Sequence, residues 1–157
     1  MTEDKFQSIK KDLFAKYGKF FCEEAKAYIA AAEDITALIA VLQRYAWDTW
    51  HKDFTAITWL RKWFADELEV FNENGCYLDQ SVTLTDSEDK LLMFFGKCFV
   101  NIIVTEPVVS NIYLHDETQM NIYTRCVCSV NVYTKNKAQC HVLYQHHNST
   151  IKIRQNK

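Results

Sequence analysis

The sequence predicts an α+β chain, with a helical unit of about four helices over residues 1–75 capping a small C-terminal β-solenoid of ten-residue rungs over 76–157. Three observations predict it. Tetrapeptides recur every ten residues without drift: Asn101-Ile-Ile-Val, Asn111-Ile-Tyr-Leu, Asn121-Ile-Tyr-Thr, Asn131-Val-Tyr-Thr and His141-Val-Leu-Tyr. A fixed period of this kind specifies architecture before local propensity does. The apolar spacing changes at Gly75, from steps of three and four to strict alternation. Finally, the chain holds only three Gly and one Pro, so Asn, Asp, Ser and Lys must make most of its turns.

The helical elements follow in order. Residues 2–17 read as a first helix, with Thr2 or Glu3 as cap and Phe6, Ile9, Leu13 and Phe14 at helical spacing. Gly18 ends it. Residues 19–32 form a second helix, with Phe20, Phe21, Ala25, Tyr28, Ile29 and Ala32 on one side. Asp34 caps a third, from Ile35 to about Thr49. A fourth runs from about Ala56 to Asn72 through Trp59, Leu60, Trp63, Phe64 and Leu68, and Asn74-Gly75 stops it.

Beyond Gly75 the even positions are apolar: Val82 and Leu84, Leu92 and Phe94, Val100 to Val104, Ile112 and Leu114, Met120 and Ile122, Val130 and Val132, and Cys140 to Tyr144. Each decade is therefore a strand of about seven residues with one apolar face, followed by a polar turn. Ten residues cannot close a coil that needs corners as well as faces. Two strands per flattened coil of about twenty residues are expected, with decades alternating between faces. An antiparallel β-meander is the alternative, but tight hairpins favour Gly-containing turns and none after residue 97 contains Gly. Ile151 and Ile153 break the parity, as a capping coil or a one-residue register slip would.

Composition excludes several function classes. An apolar fraction of 48% with 24% charged residues is that of a globular chain. The net charge is −2; residues 1–80 carry 10 basic and 14 acidic side chains, and residues 81–157 carry 8 and 6. Neither half has the footprint of a nucleic-acid binder. The polar start and the lack of a long apolar run predict no export signal and no membrane span. Six cysteines then read as reduced thiols in a cytoplasmic protein.

The candidate chemistry is sparse. Asn101, Asn111, Asn121, Asn131 and His141 form an outward polar column. Two steps on, Ile103, Tyr113, Tyr123, Tyr133, Leu143 and Ile153 form an outward apolar column, the candidate interaction surface, more apolar than a solitary monomer needs. Cys126-Val-Cys128 lacks zinc-knuckle spacing, and Cys98, Cys126, Cys128 and Cys140 fall on buried positions, so no metal site is expected. His146-His147 reads as a solvated loop. No phosphate loop, His-Glu-x-x-His or nucleophile elbow occurs, so no catalytic residue and no cofactor site is assigned. Asp48, His51 and Asp53 share a short segment and read as a surface contact. Trp47, Trp50, Trp59 and Trp63 read as core of the helical unit or its seam with the first coil, with a binding site as the alternative.

Ser110-Asn-Ile-Tyr-Leu-His-Asp, Met120-Asn-Ile-Tyr-Thr and Val130-Asn-Val-Tyr-Thr-Lys-Asn carry a resemblance. Residues 90–154 resemble short β-helical repeat proteins of gut bacteria, their prophages and mobile elements. The resemblance implies a scaffold and no catalytic residue. The chain departs from it in lacking the usual Gly and Asn-Ala turns. Function is expected to be non-enzymatic: an assembly or protein-interaction protein of phage or prophage origin, binding a protein partner or itself as a homo-oligomer, in the cytoplasm or a virion. A carbohydrate-binding or carbohydrate-processing module is the alternative.

Overall fold

The computed structural model describes residues 1–46, 56–85 and 91–156. The chain divides into two compact units, Met1–Asn74 and Gly75–Lys157.

The first unit is helical: α1 (Glu3–Tyr17), α2 (Glu23–Ala31), α3 (Ile35–Arg44), α4 (Ile57–Phe64) and α5 (Leu68–Glu73), with a 3₁₀ turn at Gly18–Phe20. Thr2 and Asp34 cap α1 and α3 as their side-chain chemistry requires, accepting from Lys5 N at 3.4 Å and Ala37 N at 2.7 Å. Phe6, Ile9 and Leu13, Ala25 and Ile29, Leu38, Ile39 and Leu42, and Trp59, Leu60 and Phe64 are the buried stripes. Polar contacts tie α1 to α4 and its surroundings. Asp12 accepts from Trp63 Nε1 at 2.7 Å, and Lys5 donates to Glu67 at 3.0 Å.

The single helix expected over 56–72 is two helices. The break at 65–67 brings the Phe64 and Phe71 rings into a stack with centroids 4.9 Å apart. On a straight helix, side chains seven residues apart are separated by about 10 Å of rise. Burial of both rings outweighs seven residues of uninterrupted helical propensity. The second helix is also shorter than expected, because residues 18–20 form a 3₁₀ turn. The expected end of the third helix at Thr49, Trp47, Trp50 and the Asp48–His51–Asp53 segment lie outside the described residues.

The second unit is a β-solenoid of about four turns. Its strands are β1 (Cys76–Leu78), β2 (Ser81–Thr85), β3 (Leu91–Phe95), β4 (Phe99–Val104), β5 (Val109–Leu114), β6 (Gln119–Thr124), β7 (Ser129–Lys135), β8 (Gln139–Gln145) and β9 (Thr150–Asn156). Successive strands alternate between two parallel sheets, one of five strands in the order β1-β3-β5-β7-β9 and one of four in the order β2-β4-β6-β8. Parallel pairing of every strand with the next but one excludes the meander. The coil is twenty residues long: Asn101 pairs with Asn121, and Asn111 with Asn131. The first coil is shorter, with Cys76 opposite Met93.

Alternation then dictates the core. Leu92, Phe94, Val100, Ile102, Val104, Ile112, Leu114, Met120, Ile122, Val130 and Val132 enter one continuous interior between the two sheets. Each such side chain contributes roughly 1.5–3 kcal/mol on burial. One corner of every coil needs a left-handed residue, and Asp79 (φ 52°), Gly96 (φ 75°), Asp116 (φ 58°) and Asn136 (φ 60°) supply it. Asp and Asn enter this region more readily than other L-residues, and at these corners hydrogen bonds to the neighbouring coil hold the backbone. Here Asp79 accepts from Lys97 N at 2.8 Å, Asp116 accepts from Gly96 N at 3.0 Å, and Asn136 donates to Asp116 at 3.3 Å.

Candidate interaction surface

The outward polar column is a pair of amide ladders. Asn121 donates to Asn101 and Asn131 to Asn111, each at 3.1 Å, one ladder on each sheet. An Asn repeated at one coil spacing donates its amide to the copy on the preceding coil.

The six apolar candidates do not form one column. Ile103 and Tyr123 are neighbours on the four-stranded sheet. Tyr113 and Tyr133 are neighbours on the five-stranded sheet. The tyrosine rings of that second pair stack at 4.7 Å and 14°. Tyr113 is buried, and that burial, ahead of the neighbouring Tyr133, pushes its hydroxyl pKa above the usual range. The Arg154 guanidinium lies over the Tyr133 ring at 5.7 Å and extends the stack by one coil. Leu143 and Ile153, the last two candidates, depart from the column altogether.

Leu143 causes that departure. Ile122 pairs with Val142 but Tyr123 pairs with Tyr144, so Leu143 is an extra residue bulged out of β8. Every later position is displaced by one. Tyr144, expected in the core, stands in the outer column with Tyr123 and is 54% exposed. Ile151 and Ile153, expected to break the pattern, align with the inward Val130 and Val132. The register slip, of the two readings of the last decade, is the one that occurred.

Apolar exposure concentrates around this bulge. β8 and β9 are the C-terminal edge strands of the two sheets. Val142 and Ile153 occupy inward positions yet are 39% and 45% exposed, and Leu143 and Tyr144 are each 54% exposed. Alternation places Val142 inward, as found, but misplaces Tyr144, because the Leu143 bulge lies between the two. A second exposed apolar line, Val109 and Val127 beside Pro107, borders a shallow groove along one corner of the coils. Its residues lie at strand starts and turns, where the repeat has no column to read.

The cysteines are all free thiols. Cys98 and Cys128 are buried as expected, whereas Cys126 and Cys140 are only partly buried because they sit at a corner and in the outermost strand. Burial pushes the Cys98 and Cys128 thiols up, and the Cys140 thiol up to about 12. Among the described residues no group of three or more His, Cys, Asp or Glu is placed to hold a metal ion. His146 and His147 lie in the corner turn, and their rings are in contact at 4.1 Å instead of diverging as adjacent residues of a strand would. Trp59 is fully buried in the helical unit, and Trp63 is partly buried against Asp12. No helix among the described residues is long and apolar enough to cross a membrane.

No protein-family model matches the chain, and no curated protein or solved structure is significantly similar to it.

Proposed function

We propose that this is a non-enzymatic interaction protein that binds another protein, or itself, through the last coil of its solenoid. One observation carries the reading. Val142, Leu143 and Tyr144 follow one another on β8 and Ile153 lies on β9, the C-terminal edge strands of the two sheets, and each is more than a third exposed. Scattered exposed apolar residues need no explanation, but a run of them on an edge strand, such as Val142–Leu143–Tyr144 on β8, is where proteins associate. The repeats resembling those of phage and mobile-element proteins fit such a role in an assembly.

The carbohydrate reading has less support. A sugar stacks on a free aromatic face, whereas Tyr113 and Tyr133 turn their faces to each other. Two solenoid carboxylates are also engaged: Asp116 accepts from Gly96 N and Asn136, and Glu117 is shared by Lys97 and Lys137.

The double variant Leu143→Glu/Tyr144→Glu tests the proposal. Both side chains are exposed, so the fold should persist by circular dichroism. Self-association in light scattering, or a complex captured from cells expressing the chain, should be lost in the variant. A strict monomer at every concentration, with captured complexes identical for both forms, would overturn it.

A further inference from the structure

We infer that the β9 edge takes up, as an added strand, an acidic extended segment of another protein in which apolar and acidic residues alternate. The inference rests on the interaction reading above and names the partner's chemistry.

Of the two C-terminal edge strands, β9 is the one built to be extended. β8 carries the Leu143 bulge, which interrupts its ladder and blunts the edge. β9 runs in unbroken register with β7 from Ser129↔Thr150 to Lys135↔Asn156, seven consecutive pairs. A strand added beyond it must obey the same alternation, in either direction. Its inward side chains would continue the columns Ser110–Val130–Ile151 and Ile112–Val132–Ile153. Ile153 is 45% exposed at present, so an apolar residue there removes it from water.

The outward positions set the charge. They continue the columns Asn111–Asn131–Lys152 and Tyr113–Tyr133–Arg154. Lys152 and Arg154 are exposed, and among the described residues neither has an ion-pair partner. Residues 118–157 contain six basic side chains and no Asp or Glu, so no acidic side chain of the last two coils competes for them, and among the described residues Arg154 is engaged only by the Tyr133 ring. Carboxylates on an added strand would lie directly across from both cations, where opposite charges stabilise pairing.

The same charges disfavour a second copy of this chain. Antiparallel pairing of β9 with its own copy centred on Ile153 sets Lys152 against Arg154, and centred on Lys152 it sets lysine against lysine. Like charges directly opposite are destabilising. A bare guard against edge-to-edge aggregation is the competing role for these two residues. It predicts no strand binding of either charge.

The experiment is a fluorescence-anisotropy titration of the full chain with a short peptide of alternating Val and Glu, beside a twin with Lys in place of Glu. The acidic peptide should bind and the basic twin should not. The variant Lys152→Glu/Arg154→Glu should weaken the acidic peptide by about tenfold or more and bind the basic twin instead. Lys152→Gln/Arg154→Gln should lose the acidic preference without gaining the basic one. Circular dichroism should show both variants folded. Binding of neither peptide, equal binding of both, or affinities unchanged in the variants would overturn the inference. The Leu143 and Tyr144 substitutions, read by association of the whole chain, would still decide the broader interaction reading separately.

Discussion

Asn136, at φ 60°, occupies a backbone region that costs an ordinary L-residue about 1–2 kcal/mol. Its amide also donates to Asp116 one coil below. Replacing it separates these effects. Asn136→Gly keeps the backbone region and loses the amide, so stability of the solenoid should change by no more than about 0.5 kcal/mol. Asn136→Ala loses both, and should cost about 1–2 kcal/mol, a fall of some 4–16 °C in the melting midpoint by circular dichroism. Equal midpoints for the two variants would show that the corner does not depend on this conformation. Asn121 and Asn131 teach the complementary lesson, since their repeated amides look like a ligand ladder but bind the Asn one coil away.

Leu143 matters at the level of the strand, because one residue resets the facing of everything after it. Deleting it should leave Tyr144 opposite Tyr123 and Ile153 opposite Val132, pairings the bulge already respects. The deletion should therefore cost under about 1 kcal/mol in a denaturant titration. Deleting Tyr133 from the regular β7 removes a residue that both neighbouring strands pair with. It must displace a buried side chain such as Val132 and cost at least about 2 kcal/mol more. Comparable losses from both deletions would refute the account of the bulge. This is also where the sequence stopped being legible. Period and alternation located the two-strand coil and the core from Leu92 to Val132, because those residues repeat a burial requirement. The broken parity at Ile151 and Ile153 signals a slip, but alternation could not locate it at Leu143, which is as apolar as its neighbours, and so it placed Tyr144 inside. The split of the expected helix at 65–67 was hidden for a similar reason: no Gly or Pro marks it, and the Phe64–Phe71 stack is a tertiary effect. The open end was half legible: the candidate column includes the exposed Leu143 and Ile153 but not Val142 and Tyr144, which alternation places inside.

The two units differ in what stabilises them, and acid should separate them. Asp12 is held below its ordinary pKa of 3.8, first by the Trp63 indole hydrogen bond and then by Lys62 and Lys16. Glu67 is held below 4.5 by its bond from Lys5, with the N-terminal ammonium adding to it. Both belong to the helical unit. A carboxyl with a lowered folded pKa stabilises fully above its unfolded value, and that stabilisation is lost as pH falls through the folded value. The helical unit should thus weaken as pH drops from about 5 toward 2. The solenoid interior, from Leu92 to Val132, is made of apolar columns and backbone ladders whose energy does not depend on protonation. All four tryptophans lie before residue 64, so indole emission reports the helical unit alone. Acid titration should shift that emission to the red while the β-sheet amide band in the infrared persists. Asp12→Asn should already be less stable at neutral pH, and should lose less on acidification than the wild type. Coincident loss of both signals, or an unchanged acid response in Asp12→Asn, would mean that these two carboxyls do not govern the acid stability of the first unit.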